Sequence, residues 1–406
     1  MINCLNSLLI EDIKFYMYMI KFNYDIVIYT KLNIKNEIMK IVKTKPKIIS
    51  LFTGCGGLDL GFHQAGYQTV WANDINSDAC KTFERNFDSY INCGDIEKID
   101  PYKDKSIPDC DLMLGGFPCQ DFSMIWKRPG LDGERGNLYK SFLRFVDAKK
   151  PKAFVAENVR GLLTANNGMA IQQIISDFEK IAPGYVVKAK LYKFAEYGVP
   201  QFRERVLIVG IRVDTNFNFI HPPVTYGPAG TKPFVTAQEA LKGVDKIKFN
   251  NEHINISSKT IAMLKRIPEG GNFSDIPKDD PLYVKGMISH VYRRLKLDEP
   301  SKTIIAAGGG GTWGYHFPEP RALTNRERAR LQSFPDDFIF DGSVAEVRRQ
   351  IGNAVSPKGV LDLAVTLKSL FSGNYKKNSL KDYNEHLKTL PFLKRLQQFE
   401  NESIGL

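Results

Sequence analysis

From residue 47 to residue 211 short β-rich apolar runs alternate with amphipathic stretches of helical period, and no other feature constrains the fold as much. Residues 48–52, 69–71, 112–114, 154–156 and 206–211 read as strands; residues 57–64, 77–87, 138–149 and 169–181 read as the helices between them. Strands separated by helices of this length imply an α/β architecture, a doubly wound and mostly parallel sheet with helices on both faces. Past Arg212 the alternation stops. Prolines and glycines become dense at His221-Pro222-Pro223, Tyr226-Gly227-Pro228 and Pro268-Glu269-Gly270-Gly271, which reads as a second, smaller, loop-rich domain. Within it, Gly308-Gly309-Gly310-Gly311 is either a place of close approach to a ligand backbone or a flexible loop. Helix returns at 323–334, opened by Thr324 with Glu327 three residues later in a capping-box arrangement, and again at 359–370 after Gly352-Asn353.

Composition narrows the partners. The chain has 406 residues, an ordinary apolar fraction and a formal charge of +11. A basic surface of this kind favours a polyanion, because lysine and arginine that neutralise phosphates release condensed counterions; an inert basic surface is the bland alternative. Six cysteines (Cys4, Cys55, Cys80, Cys93, Cys110 and Cys119) form no C-x-x-C pair, so neither a zinc ribbon nor a dithiol redox motif is suggested, and reduced thiols in a cytoplasm fit best. Glu11, Asp12, Lys14, Lys21 and Asp25 interrupt the apolar stretch of the first 38 residues before it reaches the roughly 20 residues that a membrane span requires. No signal peptide is evident there either, and with Met39 as a second plausible start, residues 1–38 read as a dispensable, poorly ordered extension.

Five short stretches carry residues suited to chemistry. Phe52-Thr53-Gly54-Cys55-Gly56-Gly57 links the first strand to the first helix, where backbone N–H groups and small residues accommodate a nucleoside-bearing ligand. A dinucleotide fingerprint would need glycine at position 59, which is Asp59. Asp74 and Asp95 follow successive strand regions; each alone is more often a surface carboxylate, but together beside a glycine turn they favour a nucleoside site. In Gly115-Gly116-Phe117-Pro118-Cys119-Gln120 the glycines free the turn and Pro118 fixes the backbone ahead of the sulfur, so Cys119 is either a nucleophile or a structural thiol. Glu157-Asn158-Val159 ends a strongly apolar strand, leaving the carboxyl hydrogen-bonded structurally or held protonated as an acid. Gln201, Arg203 and Arg205 share one face of an extended segment, pointing both arginines into a cleft or along a salt-bridged edge.

Taken in order, these stretches resemble the C5-cytosine methyltransferases that use S-adenosylmethionine, over about residues 47–372. Arg294-Leu295, Asp298-Glu299-Pro300-Ser301 with Thr303-Ile304, and Gln350-Ile351-Gly352-Asn353-Ala354-Val355 are similar to further blocks of that family. The resemblance implies a class I methyltransferase sheet with a smaller target-recognition domain. It divides the chain into the extension at 1–38, a catalytic and cofactor-binding domain at 39–211, target recognition and hinge at 212–344, a return to the catalytic domain at 345–372, and a charged tail at 373–406. It assigns cofactor contacts to Phe52, Gly54, Gly57, Leu58, Asp74, Ile75, Asp95, Ile96, Pro118 and Asn353. Catalysis falls to Cys119, Glu157, Arg203 and Arg205, and DNA contacts to Gln120, Ser123, Arg293, Arg294, Lys296 and Lys302. No metal is implied. The family chemistry would add the Cys119 thiolate to carbon 6 of a flipped cytosine, with Arg203 as the cation favouring the thiolate and Glu157 as the acid at N3. The implied partners are double-stranded DNA and a cognate restriction endonuclease, for a monomer in a bacterial cytoplasm with no membrane attachment. Two departures stand out: the amino-terminal extension, and aspartate at position 74 where many relatives carry glutamate. Three rivals remain at this point: a transfer-RNA methyltransferase, a silent cofactor-binding repressor, and a nicotinamide oxidoreductase disfavoured by the glycine spacing.

Overall fold

The computed structural model describes residues 45–118, 138–286, 291–306 and 314–373, with 394, 397 and 398. The expected extension at 1–38, most of the tail, and the site candidates Cys119, Gln120 and Ser123 lie outside the described residues.

Seven strands form the main sheet: β1 (Lys47–Leu51), β2 (Gln68–Asp74), β3 (Ile91–Cys93), β4 (Leu112–Gly115), β5 (Ala153–Val159), β6 (Tyr185–Lys193) and β8 (Glu204–Arg212), in the spatial order β3-β2-β1-β4-β5-β8-β6. Two short strands, β7 (Gln201–Phe202) and β9 (Ser301–Lys302), pair with each other in parallel outside it. The order reverses between β1 and β4, so the turns leaving these two strands diverge and open a crevice at the carboxyl edge of the sheet. Only β8 runs antiparallel to its neighbours β5 and β6. That reversal brings the start of β8 to the same edge as the ends of β1, β2, β4 and β5.

The sheet residues alternate between two cores. Ile49, Leu51, Met113, Phe154, Ala156, Val206 and Ile208 face one side, against α3 (Leu138–Lys149) and α4 (Met169–Glu179). Ile48, Leu112, Leu114, Val155, Leu207 and Val209 face the other, against α1 (Gly57–Gln64) and α9 (Pro357–Ser372). Helix α1 lies close on α9 because Gly61 leaves no side chain there; a Cβ at that position would stand 2.5 Å from the Pro357 carbonyl oxygen. A third cluster joins α2 (Ser77–Asn86), α7 (Asn325–Leu331) and α8 (Val344–Asn353), so residues from both ends of the chain share one core. A fourth gathers Met263, Leu264, Ile267, Phe273, Ile276, Val291 and Tyr315, around α6 (Ser258–Arg266).

Several elements depart from the sequence expectation, β6 and α8 among them. Strand β6 is not evident from its apolar run because Lys188, Lys190 and Lys193 interrupt it; as an edge strand it needs a neighbour on only one side, and charged side chains suit that position. Helix α8 ends at Gly352-Asn353; the sequence reading places helix only after that pair, at 359–370. Its amino terminus is capped by Ser343, whose hydroxyl accepts from the Glu346 N–H at 3.3 Å, and its glycine packs against backbone at Ile305 and Ala306.

Candidate active site at the carboxyl edge of the sheet

The turn after β1 is held in left-handed conformations, with φ of 54° at Phe52, 56° at Gly54 and 88° at Gly56. A left-handed phenylalanine costs on the order of 1 kcal/mol or more, so tertiary bonds must hold this turn. Asp74, at the end of β2, supplies one: its Oδ2 accepts from the Gly54 N–H at 2.7 Å while Oδ1 accepts from the Asn76 N–H at 2.9 Å. Burial pushes the Asp74 carboxyl above its usual range, against the lowering effect of these N–H donors. Beside it Ile75 is 74% exposed, an apolar side chain that β2 delivers to the open edge. Asp95 follows β3 and accepts from the Glu97 N–H at 3.0 Å. Above Gly54, the position of a Cβ has open space around it.

Gly57 is a packing glycine; a Cβ there would stand 2.3 Å from the Val355 carbonyl oxygen and 3.2 Å from the Ala354 Cβ. This seats the segment after α8 on the glycine turn and leaves Asn353 exposed beside it. Leu58 lies in the first turn of α1, and Ile96 follows β3. Both side chains are buried in the hydrophobic cores, at 5% and 3% exposure, leaving only backbone groups to face a ligand.

The turn after β4 is fixed by Asn158, whose side-chain N–H donates to the Phe117 carbonyl at 2.9 Å, immediately before the exposed Pro118. Glu157, one residue earlier on β5, places Oε2 3.3 Å from where a Gly116 Cβ would lie. A side chain at 116 would crowd the carboxylate, so the glycine gives Glu157 access to the turn that leads into Cys119. Across the antiparallel β5–β8 pair Val159 stands opposite Arg205, which makes Glu157 and Arg205 diagonal neighbours on one face. Their side chains meet, Arg205 Nε to Glu157 Oε1 at 2.8 Å, with 15% and 12% of each exposed. Burial raises the Glu157 carboxyl above its ordinary value; the charges of Arg205 and then Arg203 oppose that rise.

Arg203 is otherwise employed. It lies in the break between β7 and β8, is 1% exposed, and donates to the carbonyls of Ile304, Gly352 and Ala354 at 3.0–3.1 Å. Burial, and then the Arg205 charge beside it, lowers its pKa, although guanidinium stays charged in proteins. It therefore braces the returning segment 352–354 against residue 304, and Arg205 is the arginine that reaches the carboxylate. Gln201 adds a second brace, donating to the Leu331 carbonyl at 3.2 Å and accepting from the Ile304 N–H at 2.9 Å. Next to these residues lies a cavity of about 400 Å³ whose lining includes Val159, Arg160, Phe202, Arg203, Arg205 and Thr303. Val159 and Thr303 lie within the motif stretches, but neither they nor Phe202 carry a site role in the sequence reading, since nothing local marks an apolar or hydroxyl residue as cavity-lining. Glu204 also lines this cavity and pairs there with Arg160 at 2.8 Å.

Of the expected phosphate-binding cations, Arg294 requires correction. It is 5% exposed, and its five N–H groups go to five carbonyls, of Leu264, Ile267, His316, Pro318 and Glu319. A guanidinium saturated in this way holds loops together and has no donor left for a phosphate. Lys296 and Lys302 are exposed by about half, pair with Glu299 at 3.6 and 3.2 Å, and line one small cleft with the half-buried Arg293. Among the described residues no group of three or more His, Cys, Asp or Glu is placed to hold a metal ion. None of the described helices is long and apolar enough to cross a membrane.

The family model described as C-5 cytosine-specific DNA methylase matches residues 46–369. Among curated relatives, the Type II methyltransferase M.NgoFVII of Neisseria gonorrhoeae is 67% identical over 357 residues, 87% of this chain and 95% of the relative. The Type II methyltransferase M.BbvI of Brevibacillus brevis is 42% identical over 76% of this chain and 87% of its own. Two solved structures share the fold: Spodoptera frugiperda DNMT2, with a TM-score of 0.57 and 17% identity over 81% of this chain and all of that one, and S. pombe Dnmt2, with a TM-score of 0.56 and 17% identity over 82% of this chain and all of that one.

Proposed function

The chain belongs to the C-5 cytosine-specific DNA methylases, and from that premise we propose that it methylates carbon 5 of a flipped cytosine within a short duplex site, protecting host DNA from a cognate restriction endonuclease. The observation that carries the proposal is the Glu157–Arg205 pair, set beside Gly116 at the mouth of β4, one strand from the glycine turn.

The donor in this reading is S-adenosylmethionine, and the residues fit it. Asp74 and Asp95 present carboxylates for ribose and adenine, exposed Ile75 offers an apolar surface for the purine, and the open space over Gly54 admits the remainder. When bound, the cofactor supplies an electrophilic sulfonium methyl group.

The protein groups prepare the acceptor. Carbon 5 of cytosine is a poor nucleophile until the Cys119 thiolate adds to carbon 6, its lone pair forming the S–C6 bond while the C5–C6 π pair shifts through the ring toward N3. Glu157, kept toward its protonated form by burial, supplies the proton or hydrogen bond that N3 needs as charge develops there. Arg205 fixes the orientation of that carboxyl. After methylation, loss of the carbon 5 proton to water restores the ring and expels Cys119. Carbon 6 is stacked within duplex DNA, so the base must leave the helix, at a cost of a few kcal/mol recovered in the pocket.

Plasmid recovered from a methylation-free host expressing the chain should show 5-methylcytosine at one short site by bisulfite sequencing. Cys119→Ser should abolish that mark and the covalent adduct with 5-fluorocytosine DNA, while S-adenosylmethionine binding persists. An unmodified plasmid, or methyl transfer to transfer RNA in place of duplex DNA, would overturn the assignment.

A further inference from the structure

Asp59 occupies the position where a dinucleotide-binding turn would carry glycine, yet it is 0% exposed. Its carboxylate accepts hydroxyl hydrogen bonds from three separate places: Ser50 of β1 at 2.9 Å and Thr53 of the turn at 2.5 Å, both on Oδ2, and Thr69 of β2 at 2.9 Å on Oδ1. Thr69 is set in turn by His63, whose Nε2 accepts the Thr69 backbone N–H at 2.9 Å and lies 3.0 Å from the Thr69 hydroxyl.

The consequence lies in the turn. Thr53 stands between two left-handed residues, Phe52 and Gly54, and its side chain is gripped by Asp59 while the next N–H, of Gly54, is gripped by Asp74. Two carboxylates thus hold consecutive residues of one strained turn, and a shift of Thr53 moves Gly54 against Asp74. We infer that Asp59, through the Thr53 hydroxyl, is a positioning residue for the cofactor: it sets the glycine turn against Asp74 so that the ribose carboxylate and the open space over Gly54 stay in register. This rests on the proposed use of S-adenosylmethionine and names no new contact with the donor.

The full chain and its Thr53→Val, Thr53→Ser and Asp59→Asn variants would be compared by calorimetric binding of S-adenosylhomocysteine, by KM for duplex DNA, and by thermal unfolding. Thr53→Val, which keeps shape and loses the hydroxyl, should weaken cofactor binding by about tenfold, the loss expected for one hydrogen bond to a charged group. KM for DNA should stay within about twofold of wild type, since a single hydrogen bond affects the site it orders. Thr53→Ser should bind as wild type, and Asp59→Asn should follow Thr53→Val wherever it folds. Wild-type cofactor affinity in Thr53→Val, or a parallel weakening of cofactor and DNA, would overturn the inference. Failure of the wild-type protein to bind S-adenosylhomocysteine would instead overturn the donor assignment.

Discussion

Glu157 is held between two opposing demands. Burial raises its pKa, whereas Arg205 at 2.8 Å favours its charged form, and burial prevails. A carboxyl whose folded pKa lies above its unfolded value contributes stability fully below the unfolded pKa, about 4.3, and loses it as pH rises through the folded value. Glu157→Gln removes that titration. Urea unfolding across pH 4–8 should therefore show the variant gaining on wild type as pH rises, and a pH-independent difference would refute the raised pKa. The same substitution should cost about 10²–10⁴ in kcat, the usual contribution of a positioned acid, measured by methyl incorporation into duplex DNA. At this scale the sequence singled out Glu157 and both arginines as candidates. It did not distinguish Arg203 from Arg205, because two arginines with equal spacing from the strand look alike until the partner strand is in place.

Among the elements, α1 is the most informative. Its bounds are those the amphipathic pattern predicts, and α3 likewise, because caps and periodicity are local properties. Its glycines are not explained locally. Gly61 allows α9 to lie within backbone contact, and Gly57 admits the Val355 carbonyl, so the segment entering α9 packs against the glycine turn. Gly61→Ala should lower unfolding free energy by about 1–3 kcal/mol, the cost of forcing a methyl group into a filled interface, despite alanine's better helix propensity. Chemical denaturation would show it, and a neutral or stabilising result would mean that the two helices can slide apart without cost. Strand β6 and helix α8 escaped the sequence reading for a related reason. A strand with alternating lysines and a helix ending in Gly-Asn both look like weak elements until neighbours bury one face.

For the whole molecule, the charge of +11 points to a polyanion, but the fold decides which cations are available to it. Arg294 is consumed internally by five carbonyls, whereas Lys302 stands about half exposed beside Glu299. In DNA-binding titrations over a salt series, Lys302→Ala should reduce the slope of log affinity against log salt by about 1. Arg294→Ala should leave the slope unchanged and lower stability by about 1–3 kcal/mol or more, through unsatisfied carbonyls. A reduced slope for Arg294→Ala would mean that this side chain reaches phosphate after all. The sequence by itself determined the α/β layering, the order of the motif stretches and the chemistry that those residue types can perform. All of these are carried by periodicity and by short spacings along the chain. Tertiary structure decided which arginine meets Glu157, which cation is internal, and that Asp59 grips the glycine turn after β1. Each of those depends on the register of antiparallel β8 against β5, or on carbonyls and hydroxyls from separate segments, and such long-range pairings leave no local trace for a sequence to show.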